Sequence, residues 1–238
     1  MAPPTTPAYK LVEVFRSVKG EGTQAGIPMT FVRFSHCNLD CSFCDTPYSR
    51  VAVEVSLHSL IELIYNKPNT PKWVVFTGGE PMLQLSRDIT HILKADGIKM
   101  AIETNGMIWK DCLKDIDYIN ISPKDFIPLS QRIHPKLVDA HDNADITVDE
   151  IRHIILDRTT NLVTLPFKRP PTWHTISPLM DEPTELSPTW KSGDGHPTPV
   201  AVPNSEAMKR ALQLIKQYTE EDVPVRLSLQ CHRFIGVR

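Results

Sequence analysis

The sequence predicts an α/β protein built from parallel βα units, as an open sheet or a barrel. Three observations carry that expectation. Short β-branched and aromatic runs alternate with stretches whose apolar residues recur at helical spacing. Polar or glycine-rich segments follow the runs that end near Phe34, Phe76, Ile102 and Ile121, and parallel α/β folds bind ligands on the loops after their C-terminal strand ends. No internal repeat or domain-length linker divides the 238 residues, a length that suits a single domain, 1–238, with a full core.

Composition excludes several classes of partner. Lys plus Arg is 26 and Asp plus Glu 28, a net charge of −2, so neither nucleic acid nor an anionic membrane is expected to bind. No run approaches the roughly 18 apolar residues of a membrane span. The start, MAPPTTPAYK, lacks the basic and apolar regions of a secretory signal. Five cysteines do not make a secreted disulfide framework at this length, and free thiols point to a reducing cytoplasm.

Taken in order, residues 1–8 are rich in Pro and Thr and are expected to fray. Residues 9–22 (YKLVEVFRSVKGEG) read as a short strand and then a turn, where Gly20 and Gly22 allow close approach to a ligand or simply shape the turn. Residues 30–34 (TFVRF) alternate as a strand. Arg33 lies inside it, and a buried guanidinium needs an anion, in a structural ion pair or as a clamp on a ligand carboxylate. Residues 56–67 read as a helix with Ser56 at its N-cap and Leu57, Leu60, Ile61, Ile64 and Tyr65 on one face.

Residues 73–76 form a buried strand that opens into Thr77-Gly78-Gly79-Glu80-Pro81. The paired glycines expose backbone to a ligand, and Pro81 begins a helix faced by Leu85, Ile89, Ile92 and Leu93. Strands at 98–102 and 117–121 lead into Glu103-Thr104-Asn105-Gly106 and Ser122-Pro123-Lys124. Residues 125–150 give no clear pattern. Residues 150–156 (EIRHIIL) and 173–177 read as a fifth and a sixth strand, and 182–203 as a long surface loop. Residues 205–218 make an amphipathic helix and 223–229 a last strand.

The chemistry concentrates at residues 36–45, H-C-N-L-D-C-S-F-C-D. Cys37, Cys41 and Cys44 converge only if the backbone loops around a point. That arrangement suits a [4Fe–4S] cluster with three irons held by sulfur and the fourth open to a small chelating ligand. A structural zinc site closes with four ligands, and no second Cys pair is present; His36 adjoins Cys37 too closely to share one metal with it. Unligated thiols are the remaining reading. Cys112 and Cys231 read as ordinary thiols. His58, His91, His134, His141, His153, His174 and His196 have no partner at ligand spacing and read as surface or satisfied core residues.

C-x3-C-x2-C is also the motif of the radical S-adenosylmethionine (SAM) superfamily, which this loop resembles. The resemblance implies that the open iron chelates SAM and that one electron releases a 5′-deoxyadenosyl radical. Together with Gly20-Glu21-Gly22, Arg33, Cys44-Asp45-Thr46, Thr77-Gly78-Gly79-Glu80-Pro81, Glu103-Thr104-Asn105-Gly106, Ser122-Pro123-Lys124 and the ending 226–238, the loop is similar to the 7-carboxy-7-deazaguanine synthases of queuosine and deazapurine biosynthesis. The match covers 9–124 and 223–238.

That resemblance implies a partial, modified (βα) TIM-type barrel, a homodimer, and a lyase that converts 6-carboxy-5,6,7,8-tetrahydropterin to 7-carboxy-7-deazaguanine with loss of ammonia. It implies cluster ligation by Cys37, Cys41 and Cys44, and Mg²⁺ on Thr46. Substrate contacts fall on Val18, Lys19, Gly20, Arg33, Thr77, His232 and Arg238. SAM contacts fall on Phe43, Cys44, Asp45, Gly79, Glu103, Ser122, Pro123 and Lys124. Flavodoxin or ferredoxin is the implied electron donor. Lys19 stands where the family usually has Gln, Ser177-Pro178 where it often has Gln-Pro, and Cys231 where Thr is usual. The rival expectations are a glycyl-radical-enzyme activase, with the same cysteine spacing, and a zinc-stabilised binding module.

Overall fold

A computed structural model describes residues 8–44, 52–65, 71–162, 165–181, 189–191, 197–199, 202–221 and 223–231. The chain runs β1 (Ala8–Val18), β2 (Pro28–Phe34), β3 (Val53–Ser56), α1 (Leu57–Tyr65), β4 (Trp73–Gly78), α2 (Arg87–Ala95), β5 (Lys99–Thr104), β6 (Tyr118–Ile121), α3 (Leu129–Arg132), α4 (Pro135–Asp142), β7 (Glu150–Ile155), β8 (Trp173–Pro178), β9 (Met180–Asp181), β10 (Thr189–Lys191), β11 (Pro197–Pro199), β12 (Val202–Pro203), α5 (Ser205–Glu220) and β13 (Val225–Leu227). Among the described residues, nine strands form one sheet in the order β13-β8-β7-β6-β5-β4-β2-β1-β3. From β13 to β2 every pairing is parallel. β1 then pairs antiparallel with both β2 and β3. Among the described residues the first and last strands in this order do not pair, so the barrel they form is open.

Strand composition explains the layering. Val32, Phe34, Val74, Phe76, Met100, Ile102, Ile119 and Ile151 point to the helices and pack with Leu60, Ile64, Ile89 and Leu93 in the main core. Each such large side chain, when fully buried, contributes about 1.5–3 kcal/mol. The alternate positions face the inside of the curved sheet. Deep in it they are apolar, as with Met29, Phe31, Val75 and Ala101. Nearer the C-terminal strand ends they turn polar: Thr77, Asn120, Glu150 and Arg152 are buried and Glu103 is half-buried.

Several expectations change. Ala8 is already in β1, which is a long antiparallel strand and not a short start; residues 1–7 lie outside the described residues. Ser56 does cap α1, accepting from the Ser59 N–H at 3.1 Å. Pro81 opens only a 3₁₀ turn, Pro81–Leu83, because the Glu80 carboxylate takes the Met82 N–H at 2.9 Å; the α-helix waits until Arg87. The segment 182–203 is not one long loop, since β10 pairs with β11 and β12 with β9. Residues 125–150 contain α3 and α4; Pro135 starts α4, and the His134 ring accepts from the Lys136 N–H.

Candidate active site

Two glycines and one carboxylate build the rim. After β2 the backbone turns at His36, in the left-handed region at φ 69°, and starts the cysteine loop. Gly78 and Gly79 press against it. A Cβ on Gly78 would lie 2.1 Å from the Phe34 carbonyl oxygen, and one on Gly79 would lie 1.9 Å from that of His36. In place of side chains there are hydrogen bonds, from Gly79 N–H to Phe34 O at 3.1 Å and from Glu80 N–H to His36 O at 2.9 Å. The glycine pair thus receives the cysteine loop and need not be reserved for a ligand.

Glu80 is fully buried. Besides Met82 N–H, it accepts from the Thr104 hydroxyl at 2.7 Å and the Asn105 N–H at 2.8 Å. Burial raises its pKa, while these donors pull the other way. Asn105 then donates from its side chain to Asn38 Oδ1 at 2.8 Å. Glu80 therefore fastens the tips of β4 and β5, and through Asn105 the cysteine loop.

Cys37, Cys41 and Cys44 line the mouth of a cavity of about 290 Å³ at the C-terminal strand ends. All three are free thiols. Burial raises the pKa of Cys37 and of Cys41, with Lys124 opposing at Cys41, so a thiolate here calls for cationic partners. The Lys124 ammonium donates to Ser122 Oγ at 2.9 Å and lies 5.8 Å from the Phe43 ring centre. Burial lowers its pKa and the three cysteines pull it back up. Arg132 steadies its loop by donating to the carbonyls of Lys124, Asp125 and Ile127. Among the described residues no three His, Cys, Asp or Glu side chains are arranged to hold a single metal ion. Three thiols around one mouth, with a lysine beside them, fit a cluster that takes one sulfur per iron at separate corners.

The floor is a charge network. Arg152, 5 % exposed, donates to Glu21 at 2.7 Å, Glu103 at 2.9 Å and Glu150 at 3.0 Å. Glu103 also pairs with Lys19 and accepts from the Thr77 hydroxyl at 2.9 Å. Glu150 accepts from Tyr118 at 2.6 Å and Thr175 at 2.7 Å. Burial alone would raise Glu103, but Lys19 and Arg152 outweigh it and hold the carboxyl well below the usual range. Burial would likewise lower Arg152, and Glu21, Glu150 and Glu103 more than reverse it. Three carboxylates against two cations leave this floor with a net charge of −1.

The expected site residues divide. Cys37, Cys41, Cys44, Phe43, Thr77, Gly79, Glu103, Ser122 and Lys124 all face the one cavity. Pro123 lines a small adjoining depression with Phe43 and Lys124. Arg33 holds Glu13 at 3.1 Å and lies against Phe15. Val18 ends β1. Lys19 and Gly20 follow it, and the next residue, Glu21, lines the cavity. The Lys19 ammonium reaches Glu103, and the Gly20 carbonyl accepts from Cys231 N–H at 2.9 Å. Asp45, Thr46, His232 and Arg238 lie outside the described residues.

The sequence reading missed Glu21, Asn120 and Arg152 as cavity residues. One signal was available: counting back by twos from Ser122 reaches Asn120, and Arg152 is a charge inside an apolar strand run, both on the inner face. Asn120 is 2 % exposed, and among the described residues neither its amide nitrogen nor its oxygen has a partner. Leaving such a group unsatisfied costs about 1–3 kcal/mol, so the residue is primed for a ligand.

Residues 31–168 match the model of the radical SAM superfamily. A 7-carboxy-7-deazaguanine synthase from Haemophilus influenzae is 41 % identical over 119 residues, half of this chain and 54 % of that protein; the chain spans about half the length of the first curated relatives it matches. The enzyme of that name from Bacteroides thetaiotaomicron is 33 % identical over 60 % of this chain and 75 % of its own. The one from Bordetella pertussis is 28 % identical over 97 % and 99 %. The crystal structure of QueE from Escherichia coli superposes with a TM-score of 0.63 at 21 % identity, covering 94 % of this chain and 95 % of that one, a likeness of fold.

Proposed function

From a chain that belongs to the radical SAM superfamily, and within it to the 7-carboxy-7-deazaguanine synthases, we infer a lyase that converts 6-carboxy-5,6,7,8-tetrahydropterin to 7-carboxy-7-deazaguanine. Loss of ammonia alone balances that conversion. The observation that carries the reading is that three cluster-competent thiols and a buried charge network open on the same cavity. When bound, a [4Fe–4S] cluster and SAM supply the radical that takes a hydrogen atom from the substrate; the chain binds, orients and shields.

Cys37, Cys41 and Cys44 hold the cluster, and Lys124 lends positive charge to its thiolates. Phe43, Asp45, Gly79, Ser122, Pro123 and Lys124 receive SAM, with Glu103 accepting from a ribose hydroxyl. Glu103 already serves Lys19, Arg152 and Thr77, so its position is fixed before any ligand arrives. Val18, Lys19, Gly20 and Thr77 meet the substrate ring. Arg33, His232 and the Arg238 carboxylate complete that shell. The Lys19 side chain serves Glu103, which leaves the backbone at 18–20 to make the substrate contact despite the change from Gln. Thr46 supplies one oxygen to Mg²⁺, a hard ion that keeps several waters. The protein works as a homodimer in the cytoplasm and takes electrons from flavodoxin or ferredoxin.

Anaerobically reconstituted protein with SAM, dithionite and the carboxy-tetrahydropterin is expected to form the deazaguanine and ammonia. SAM cleavage without that product overturns the substrate, and protein that takes up no cluster overturns the chemistry. Thr46→Ala is expected to blunt the response to Mg²⁺, and a tag extending the chain beyond Arg238 to raise the substrate KM.

A further inference from the structure

We propose that Asn120 reads the lactam edge of the substrate ring, its carboxamide accepting from the ring N–H and donating to the adjacent carbonyl. The proposal rests on the substrate assignment above and adds a specificity residue to it. Asn120 lies on β6 beside Glu103 on β5 and Glu150 on β7, in direct register with both. Each neighbour already has protein partners: Glu103 has Lys19, Arg152 and Thr77, and Glu150 has Arg152, Tyr118, Thr175 and the Thr23 N–H. Asn120 alone in that row has two buried polar atoms without partners, and it faces the cavity.

A primary amide offers one acceptor and one donor side by side in a plane. Its complement is a flat ring carrying a donor and an acceptor on adjacent atoms. Both a lactam and the amino edge of adenine meet that description, and depth separates them. Ser122 is two residues farther on, just past the C-terminal end of the same strand and about 7 Å along its direction, with Lys124 and the cysteines at the mouth. Asn120 is one layer deeper, level with Thr77, the residue assigned to the substrate ring, where the floor carries a surplus of carboxylate that suits a ring rich in N–H groups. The deeper ligand is the substrate.

Asn120→Leu tests this, because it removes both polar atoms and keeps the branched shape and the number of heavy atoms. In the reconstituted holoprotein, substrate Kd is expected to rise about ten- to a hundredfold, with SAM affinity unchanged. The melting temperature should hold or increase, since no partner is lost and an unsatisfied amide is removed. Unchanged substrate affinity overturns the proposal, as does a selective loss of SAM affinity, which would put the amide on the cofactor. A lower melting temperature with normal substrate binding shows a structural residue and also overturns it. If the leucine variant does not fold, Asn120→Ala decides by the same affinities. Wild-type protein that binds SAM but not the pterin rejects the substrate assignment itself, a result separable from any property of Asn120.

Discussion

Burial, with His174 adding to it, pushes the His153 imidazole down to about 3, so one core side chain couples stability to acid. Its ring bonds the His174 ring across 3.0 Å on the next strand. Above its ordinary value of about 6.5 both folded and unfolded states are neutral, and the pair stabilises fully. As pH falls from there toward 3, the unfolded chain binds a proton that the native one refuses. Stability is then lost at up to about 1.4 kcal/mol per pH unit. His153→Gln keeps a donor toward His174 and does not titrate. Urea titrations at about pH 7 and pH 5 should therefore show a shallower loss in the variant; identical slopes would argue against the assignment. No spacing rule reveals this pair, because the two histidines meet only when β7 and β8 align. Arg152 had a local signal, a charge within an isoleucine-rich strand run, but two of its three carboxylates, Glu21 and Glu103, come from distant segments. Arg152→Met should cost about 3–5 kcal/mol near neutral pH, the penalty for buried charges left unpaired. Glu103 and Glu150 are held below their usual range in the native protein, so the wild type loses that stability as pH falls through about 4.5. The variant has less to lose, and the gap between the two should narrow in acid.

At the scale of elements, apolar runs made the parallel strands legible, because a strand covered on both faces is hydrophobic almost throughout. What escaped was pairing imposed by a partner. β11 carries Pro197 and Pro199, a composition that reads as loop until the opposite strand is known. The glycines at the end of β4, Gly78 and Gly79, gave the right position with an incomplete reason, since the structure sets them against the backbone of Phe34 and of the cysteine loop. Gly79→Ala should therefore act on that loop. With 1.9 Å between the added Cβ and the His36 oxygen, the loop must move, and the iron bound per chain after reconstitution should fall several-fold. Gly97→Ala is the control, since its φ of 70° is also left-handed but no atom lies within 4 Å of the new Cβ. It should cost only about 1–2 kcal/mol and leave iron loading intact. Equal iron loss in both would point to general destabilisation.

At the scale of the molecule, the open barrel has to join its ends, and it does so at the cavity. β1 and β13 lie near opposite ends of the sheet order, yet the segment after β1 reaches the segment after β13. Gly22 N–H donates to Ser228 Oγ at 2.9 Å, and Cys231 N–H donates to Gly20 O at 2.9 Å. The same segment meets the middle of the sheet, where Thr23 N–H donates to Glu150 at 3.1 Å and the Thr23 hydroxyl bonds that of Tyr118. Gly22 permits all of this. Its φ is 73°, and a Cβ there would stand 2.3 Å from a Glu150 oxygen and 2.6 Å from an Arg152 nitrogen. Gly22→Ala should thus disturb the seam and the charge network together, at about 2–4 kcal/mol from backbone strain and displaced ion pairs. Because the seam ties the first strand to the last, the loss should be felt throughout. Tryptophan fluorescence and far-UV circular dichroism should move to the same lower urea midpoint, as one cooperative transition demands. Separate midpoints would mean that the two halves of the barrel unfold independently and that the seam only joins them, without coupling them.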